Sequence, residues 1–169
     1  RLLACGAVRP RLLACVAIAF STSSADTVTR SLFTTAVGHT GEILSVAFSP
    51  DGDSVLTGAT DNTAKLWNAA TGAEIRTFTG HTSAVTSMAF SPDGASVLTG
   101  GYEGTAKLWN TATGAQIRTF TGHTSVVDSV AFSPDGASVL TGSYDGTAKL
   151  WNAATGAEIR TITGLAAYI

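Results

Sequence analysis

A 42-residue period runs through most of this 169-residue chain and restricts its fold more than any other feature. Gly-His recurs at Gly38-His39, Gly80-His81 and Gly122-His123, and tryptophan at Trp67, Trp109 and Trp151. Ser-Pro-Asp-Gly recurs at 49–52, 91–94 and 133–136. Residues 81–122 and 123–164 differ at only eight of 42 positions, the mark of tandem duplication. A fixed period of this length implies stacked supersecondary units, each unable to bury its apolar faces alone.

Each unit reads as four short strands. In the first, 43–48 is strand a. Ser-Pro-Asp-Gly turns the chain, with Pro50 fixing φ at the first corner and Gly52 tolerating positive φ at the exit. Strand b follows at 54–59. Asp61-Asn62 makes the next turn, and the later copies carry Glu103-Gly104 and Asp145-Gly146, suited to a primed hairpin turn. Strand c is 63–68, Thr71-Gly72 turns again, and strand d is 74–79. Strands a to c are apolar or small on both faces, as expected of a sheet sandwiched between neighbours. The expected class is therefore all-β.

Four-stranded units of about 40–45 residues with Gly-His and a closing Trp resemble the WD-repeat family. The resemblance covers residues 38–164 and implies β-propeller blades at 38–79, 80–121 and 122–164, open or partial as a propeller. One departure is uniform: Asn68, Asn110 and Asn152 follow the tryptophans where the family has Asp. The resemblance also implies a buried hydrogen-bonded tetrad in each blade. Its members are His39, Thr57, Asp61 and Trp67 in the first blade and His81, Thr99, Glu103 and Trp109 in the second. The third takes His123, Thr141, Asp145 and Trp151. A buried indole N–H needs an acceptor, and hydroxyl, imidazole and carboxylate can relay the chain onward. The extra methylene of Glu103 is expected to make the second network the weakest.

A Thr, a His and an Asp also evoke nucleophilic catalysis. Here the set recurs in every unit, whereas an active site is normally unique. The three histidines fall on separate blades and do not form a metal set, and no HExxH, P-loop or GxSxG motif occurs. Neither catalysis nor a cofactor is expected. Charged residues make up only 13% of the chain and net charge is -2. That balance excludes a disordered polyelectrolyte and argues against nucleic-acid binding. Cys5 and Cys15 precede the repeats, so the repeats hold no disulfide and no thiolate ligand.

Function in such a frame is expected on its loops. Side chains near the d–a and b–c turns differ between copies: Glu42, Ala84 and Val126; Leu44, Thr86 and Asp128; Thr60, Tyr102 and Tyr144. By resemblance these positions contact protein or peptide partners, with Tyr102 and Tyr144 as anchors. The implied function is a non-catalytic protein-interaction scaffold. A glycan-binding or enzymatic propeller, and a gene fragment with no independent function, remain open. Lys65, Lys107 and Lys149, with Arg76, Arg118 and Arg160, are expected to face solvent.

Residues 1–25 have the parts of a secretory signal: Arg9 and Arg11, the apolar run 12–20, and small residues at Ser23 and Ala25. The run is too short for a membrane span. The alternative is a gene-start artefact, since Arg-Leu-Leu-Ala-Cys occurs at both 1–5 and 11–15. A true signal implies export to periplasm or medium, and an artefact implies the cytoplasm. Residues 26–37 read as a linker with a lone outer strand, and 165–169 as a tail. Three blades fall short of the about 4–8 of closed propellers. Either the array is part of a longer propeller gene, or copies assemble into a homo-oligomeric ring, for example two chains making six blades.

Overall fold

The computed structural model describes residues 38–164. The signal-like segment, the lone strand expected within 26–37 and the tail at 165–169 lie outside the described residues. Within them the chain is all-β, in three four-stranded antiparallel sheets whose strands follow sequence order. The first sheet holds β1 (Ile43–Phe48), β2 (Ser54–Ala59), β3 (Thr63–Asn68) and β4 (Glu74–Thr79). The second holds β5 (Val85–Phe90), β6 (Ser96–Gly101), β7 (Ala106–Asn110) and β8 (Gln116–Phe120). The third holds β9 (Val127–Phe132), β10 (Ser138–Ser143), β11 (Thr147–Asn152) and β12 (Glu158–Thr163).

The turns explain why these strands meander. Gly52 has φ 79° at the exit of the first turn, and Asp51 Oδ1 accepts hydrogen bonds from Ser49 Oγ and from Asp53 N at 3.0 Å. That closes the corner with local chemistry alone. The asparagines after the tryptophans are turn clasps. Asn68 Oδ1 accepts from Thr71 N at 2.8 Å and Thr71 Oγ1 at 2.9 Å, and Asn110 and Asn152 hold Thr113 and Thr155 likewise. An Asp would accept the same bonds, which accounts for the uniform departure.

The sheets stack face against face. Leu56, Ala64, Leu66 and Phe78 of the first sheet meet Val85, Met88, Val97 and Trp109 of the second. One period later, Leu98, Ala106, Leu108 and Phe120 meet Val127, Val130, Val139 and Trp151. Phe78 and Trp109 pack with ring centres 5.8 Å apart, and Phe120 and Trp151 at 5.7 Å. Burying one such large side chain stabilises by roughly 1.5–3 kcal/mol. Gly58 and Gly100 permit the close approach: a Cβ on either would lie within about 3 Å of a valine Cγ1 on the next sheet.

The cations correct the expectation of a solvated face. Lys65 is only 9% exposed, and its Nζ donates to Glu74 Oε2 and Thr77 Oγ1, both at 2.8 Å. Lys149 repeats this with Glu158 and Thr161. Lys107 reaches only Thr119 Oγ1, at 3.3 Å, because Gln116 stands where the other copies have glutamate. Arg76 donates to the carbonyls of Ala112 and Thr113 on the next sheet, and Arg118 to those of Ala154 and Thr155. Each guanidinium bridges two adjacent carbonyls and ties neighbouring sheets together. Only Arg160 is exposed as expected.

The Thr111 hydroxyl is buried without a partner, at a position where the other two copies have Ala69 and Ala153. An orphaned buried polar group costs about 1–3 kcal/mol. Thr111→Ala is expected to raise unfolding stability by about 1 kcal/mol, measured by urea titration at unchanged m-value. A loss of stability would show that the hydroxyl has a partner after all.

Candidate functional site

Two layers lie at the end of each sheet where β1, β5 and β9 begin. Beneath is a hydrogen-bonded relay, and above it are the d–a loop and the b–c turn. In the first sheet Trp67 Nε1 donates to Thr57 Oγ1 at 2.7 Å, and Thr57 Oγ1 lies 2.7 Å from His39 Nε2. His39 Nδ1 lies 3.0 Å from Asp61 Oδ2. The second and third sheets bring together Trp109, Thr99, His81 and Glu103, and Trp151, Thr141, His123 and Asp145. Every donor is used once if the threonine O–H donates to Nε2 and the proton sits on Nδ1, donating to the carboxylate.

The relays are enclosed: Thr99 and Thr141 have no exposed surface and Thr57 is 8% exposed. Trp109 and Trp151 are buried, while Trp67, which no sheet covers among the described residues, is half-buried. Each histidine bonds within its own sheet. No group of three His, Cys, Asp or Glu side chains that could hold a metal occurs among the described residues.

The carboxylates clasp the turns as well as the imidazoles. Asp61 Oδ2 accepts from Thr40 N at 2.9 Å, and Oδ1 accepts from Thr63 N at 3.0 Å and Thr63 Oγ1 at 2.6 Å. Burial disfavours the Asp61 anion. The Thr63 hydroxyl, the Thr40 amide and His39 outweigh it and lower the pKa to about 2. At Asp145 burial is likewise overcome, by Thr147, His123 and Thr124, and the carboxyl is held well below the usual range.

Glu103 departs from this pattern. It keeps His81, at 2.5 Å, and the Thr105 hydroxyl, at 2.8 Å, but its Oε2 is buried without a partner. Its pKa is lowered, with burial opposing and the His81 contact prevailing. The longer side chain fits because Gly101 stands where the other copies have Ala59 and Ser143. A Cβ on Gly101 would lie 2.3 Å from Glu103 Oε2 and 2.5 Å from His81 Nδ1. Sequence reasoning missed this compensation, although both exchanges occur in the same copy.

The variable positions divide on inspection. Tyr102 and Tyr144 are 59% and 69% exposed on b–c turns pinned by Tyr102 N to Ala84 O at 2.9 Å and Tyr144 N to Val126 O at 3.0 Å. Glu42, Leu44, Thr60 and Asp128 are exposed in the same layer, with Thr60 Oγ1 accepting from Glu42 N. Thr86 is half-buried, and its hydroxyl lies within bonding distance of Gly100 O and Val127 O. Val126 is buried. Thr86 thus serves the contact between sheets. At the opposite end, Ser91, Pro92, Ile117, Phe132 and Ala154 line an open groove of about 360 Å³.

The family model described as WD40, "WD domain, G-beta repeat", matches residues 30–68, 72–110 and 114–152. The second and third matches each take the outer strand of one sheet and the first three of the next, so the repeat stitches neighbours together. Protein Mut11 of Chlamydomonas reinhardtii is 50% identical over 40 residues, covering 24% of this chain and 11% of that protein. The crystal structure of RRP9 WD40 repeats aligns with a TM-score of 0.72 at 27% identity, covering 75% of this chain and 40% of that one. The structure of U3-55K gives a TM-score of 0.72 at 27% identity, covering 75% and 41%. The chain thus spans less than half the length of these proteins.

Two outcomes follow from the relays. A carboxylate whose folded pKa lies below the ordinary 3.8 stabilises the fold above that pH and ceases to do so as pH falls through the folded value. Stability should therefore fall as pH drops from about 4 to about 2, with a shallower slope in Asp61→Asn. An equal slope in that variant would contradict the assignment. In a double-mutant cycle Gly101→Ala alone should cost about 1–3 kcal/mol and, in a Glu103→Asp background, less than about 1. Additive costs would refute the compensation.

Proposed function

The chain belongs to the WD40 repeat family, WD domain, G-beta repeat, and from that premise we propose that it is a non-catalytic scaffold that holds protein or peptide partners on the rim of its b–c turns. One observation carries this reading: Tyr102 and Tyr144 project into solvent from turns whose backbones are pinned to the adjacent loops. An aromatic anchor on a rigid turn loses little conformational freedom on binding and buries a large area. Glu42, Leu44, Thr60 and Asp128 provide the variable surroundings that would set specificity between copies.

The relays weigh against the other classes. A sugar site would pair each tyrosine with a free carboxylate, but Glu103 and Asp145 are committed to His81 and His123. A nucleophilic site needs an accessible hydroxyl, and the relay threonines are buried. No helix among the described residues is long and apolar enough to cross a membrane.

Selection from a random peptide library displayed on phage tests the proposal. It should return a peptide class whose affinity falls roughly thirtyfold, or about 2 kcal/mol, in Tyr102→Ala or Tyr144→Ala. The thermal midpoint should stay unchanged in both variants, because neither ring is part of the core. Specific retention on a glycan array, or peptides indifferent to both tyrosines, would reject it.

A further inference from the structure

The outer faces of the first and third sheets repeat, one period on and one period back, the two sides of the interfaces between neighbouring sheets. Between the first and second sheets, Leu56 and Phe78 cover Val85, Met88 and Trp109, and between the second and third, Leu98 and Phe120 cover Val127, Val130 and Trp151. One period on, Leu140 and Ile162 occupy the places of Leu98 and Phe120. One period back, Ile43, Val46 and Trp67 occupy the places of Val85, Met88 and Trp109. Leu98 is fully buried and Leu140 is 39% exposed; Phe120 is 2% exposed and Ile162 52%; Met88 is 7% exposed and Val46 53%. Both faces are apolar, in register and uncovered among the described residues.

Two smaller features repeat the pattern. Where Gly58 and Gly100 lie against valines of the next sheet, Gly142 meets only Ser129 of its own sheet. Where Gly114 and Gly156 are covered by Arg76 and Arg118, Gly72 has nothing within 4 Å of a Cβ, and Arg160 is exposed. The Ala70 and Thr71 carbonyls stand one period before the carbonyls that Arg76 grips. Thr34 stands one period before Arg76, so the segment of this chain that precedes the first sheet offers no arginine in register for that seat.

We propose that a second copy of this chain docks head to tail on these faces, packing Leu140 and Ile162 of one copy on Ile43, Val46 and Trp67 of the other. Arg160 then bridges the Ala70 and Thr71 carbonyls across the junction. The contact reproduces the two interfaces within each chain, so its shape complementarity is already built. It is a heterologous contact, which closes into a ring when the rotation permits. Two copies joined at both ends bring together six of the described sheets, within the about 4–8 blades of closed propellers.

Sedimentation velocity and native mass spectrometry of the full chain test the proposal. The wild type should run as two copies or more. Val46→Asp and Ile162→Asp should each be monomeric, and an equimolar mixture of the two should give a one-to-one dimer through the faces left intact. Both sites are more than half exposed in the single chain, so circular dichroism should match that of the wild type, while the thermal midpoint should fall only by what assembly contributes and lose its dependence on protein concentration. Arg160→Ala should weaken association about tenfold or more. A monomeric wild type, the result expected if the segment before residue 38 or a different protein covers these faces, overturns the proposal. So does assembly that persists in either single variant, or a mixture that forms no dimer.

Discussion

A sheet that is apolar on both faces cannot stand alone in water, and the structure follows from how that constraint is met. One four-stranded face of ordinary dimensions is near 350 Å², as large as the largest apolar patch of many soluble monomers. The chain covers such faces with the next copy of the same sheet. Leucine and phenylalanine from one sheet interlock with valine and tryptophan from its neighbour, and a glycine in the second strand lets them approach. The two arginine bridges lie outside this packing and set how neighbouring sheets are placed. Their acceptors are backbone carbonyls, so the bridge needs only a turn in the right place.

Stacking alone leaves polar groups stranded, and the relays resolve that. Trp109 and Trp151 fill the apolar interfaces, yet a buried indole N–H must find a partner once water is gone. The threonine beside it accepts that bond, and histidine and carboxylate carry the chain to the turns at the sheet's end. The carboxylate then also holds loop amides, as Asp61 does with Thr40 and Thr63. The interior of each sheet is thereby coupled to the loops above it. A rim fixed in this way suits recognition, because little freedom remains to be lost on binding. The second sheet achieves the same coupling with fewer bonds, through the paired exchange of Gly101 and Glu103.

Strands, turns and sheet order were legible from the sequence because each depends on local chemistry. Pro50, Gly52 and the two faces of small and apolar side chains suffice to place β1 and β2. The four relay members were legible only through family resemblance, since 10 to 22 residues separate the bonded pairs. The arginines were misread as solvated because their acceptors lie 36 and 37 residues away, on another sheet. A signal did exist: arginine and the glycine it covers recur at constant separation, Arg76 with Gly114 and Arg118 with Gly156. Buried Lys65 was misread for a similar reason, because Glu74 and Thr77 reach it only across a strand pair. Thr86 was read as a rim residue from its variability, while its hydroxyl faces the next sheet.

The central claim is that the sheets are stacked with the tryptophans as internal fasteners held by threonine and histidine. Hydrogen exchange of the three indole N–H groups, followed by nitrogen-15 NMR, tests it most directly. The account predicts that Trp109 and Trp151 exchange only through unfolding of the stacked sheets, with protection near the global stability, and that Trp67 exchanges faster wherever its outer face is bare. Exchange of Trp109 and Trp151 at the rate of a free indole would contradict it.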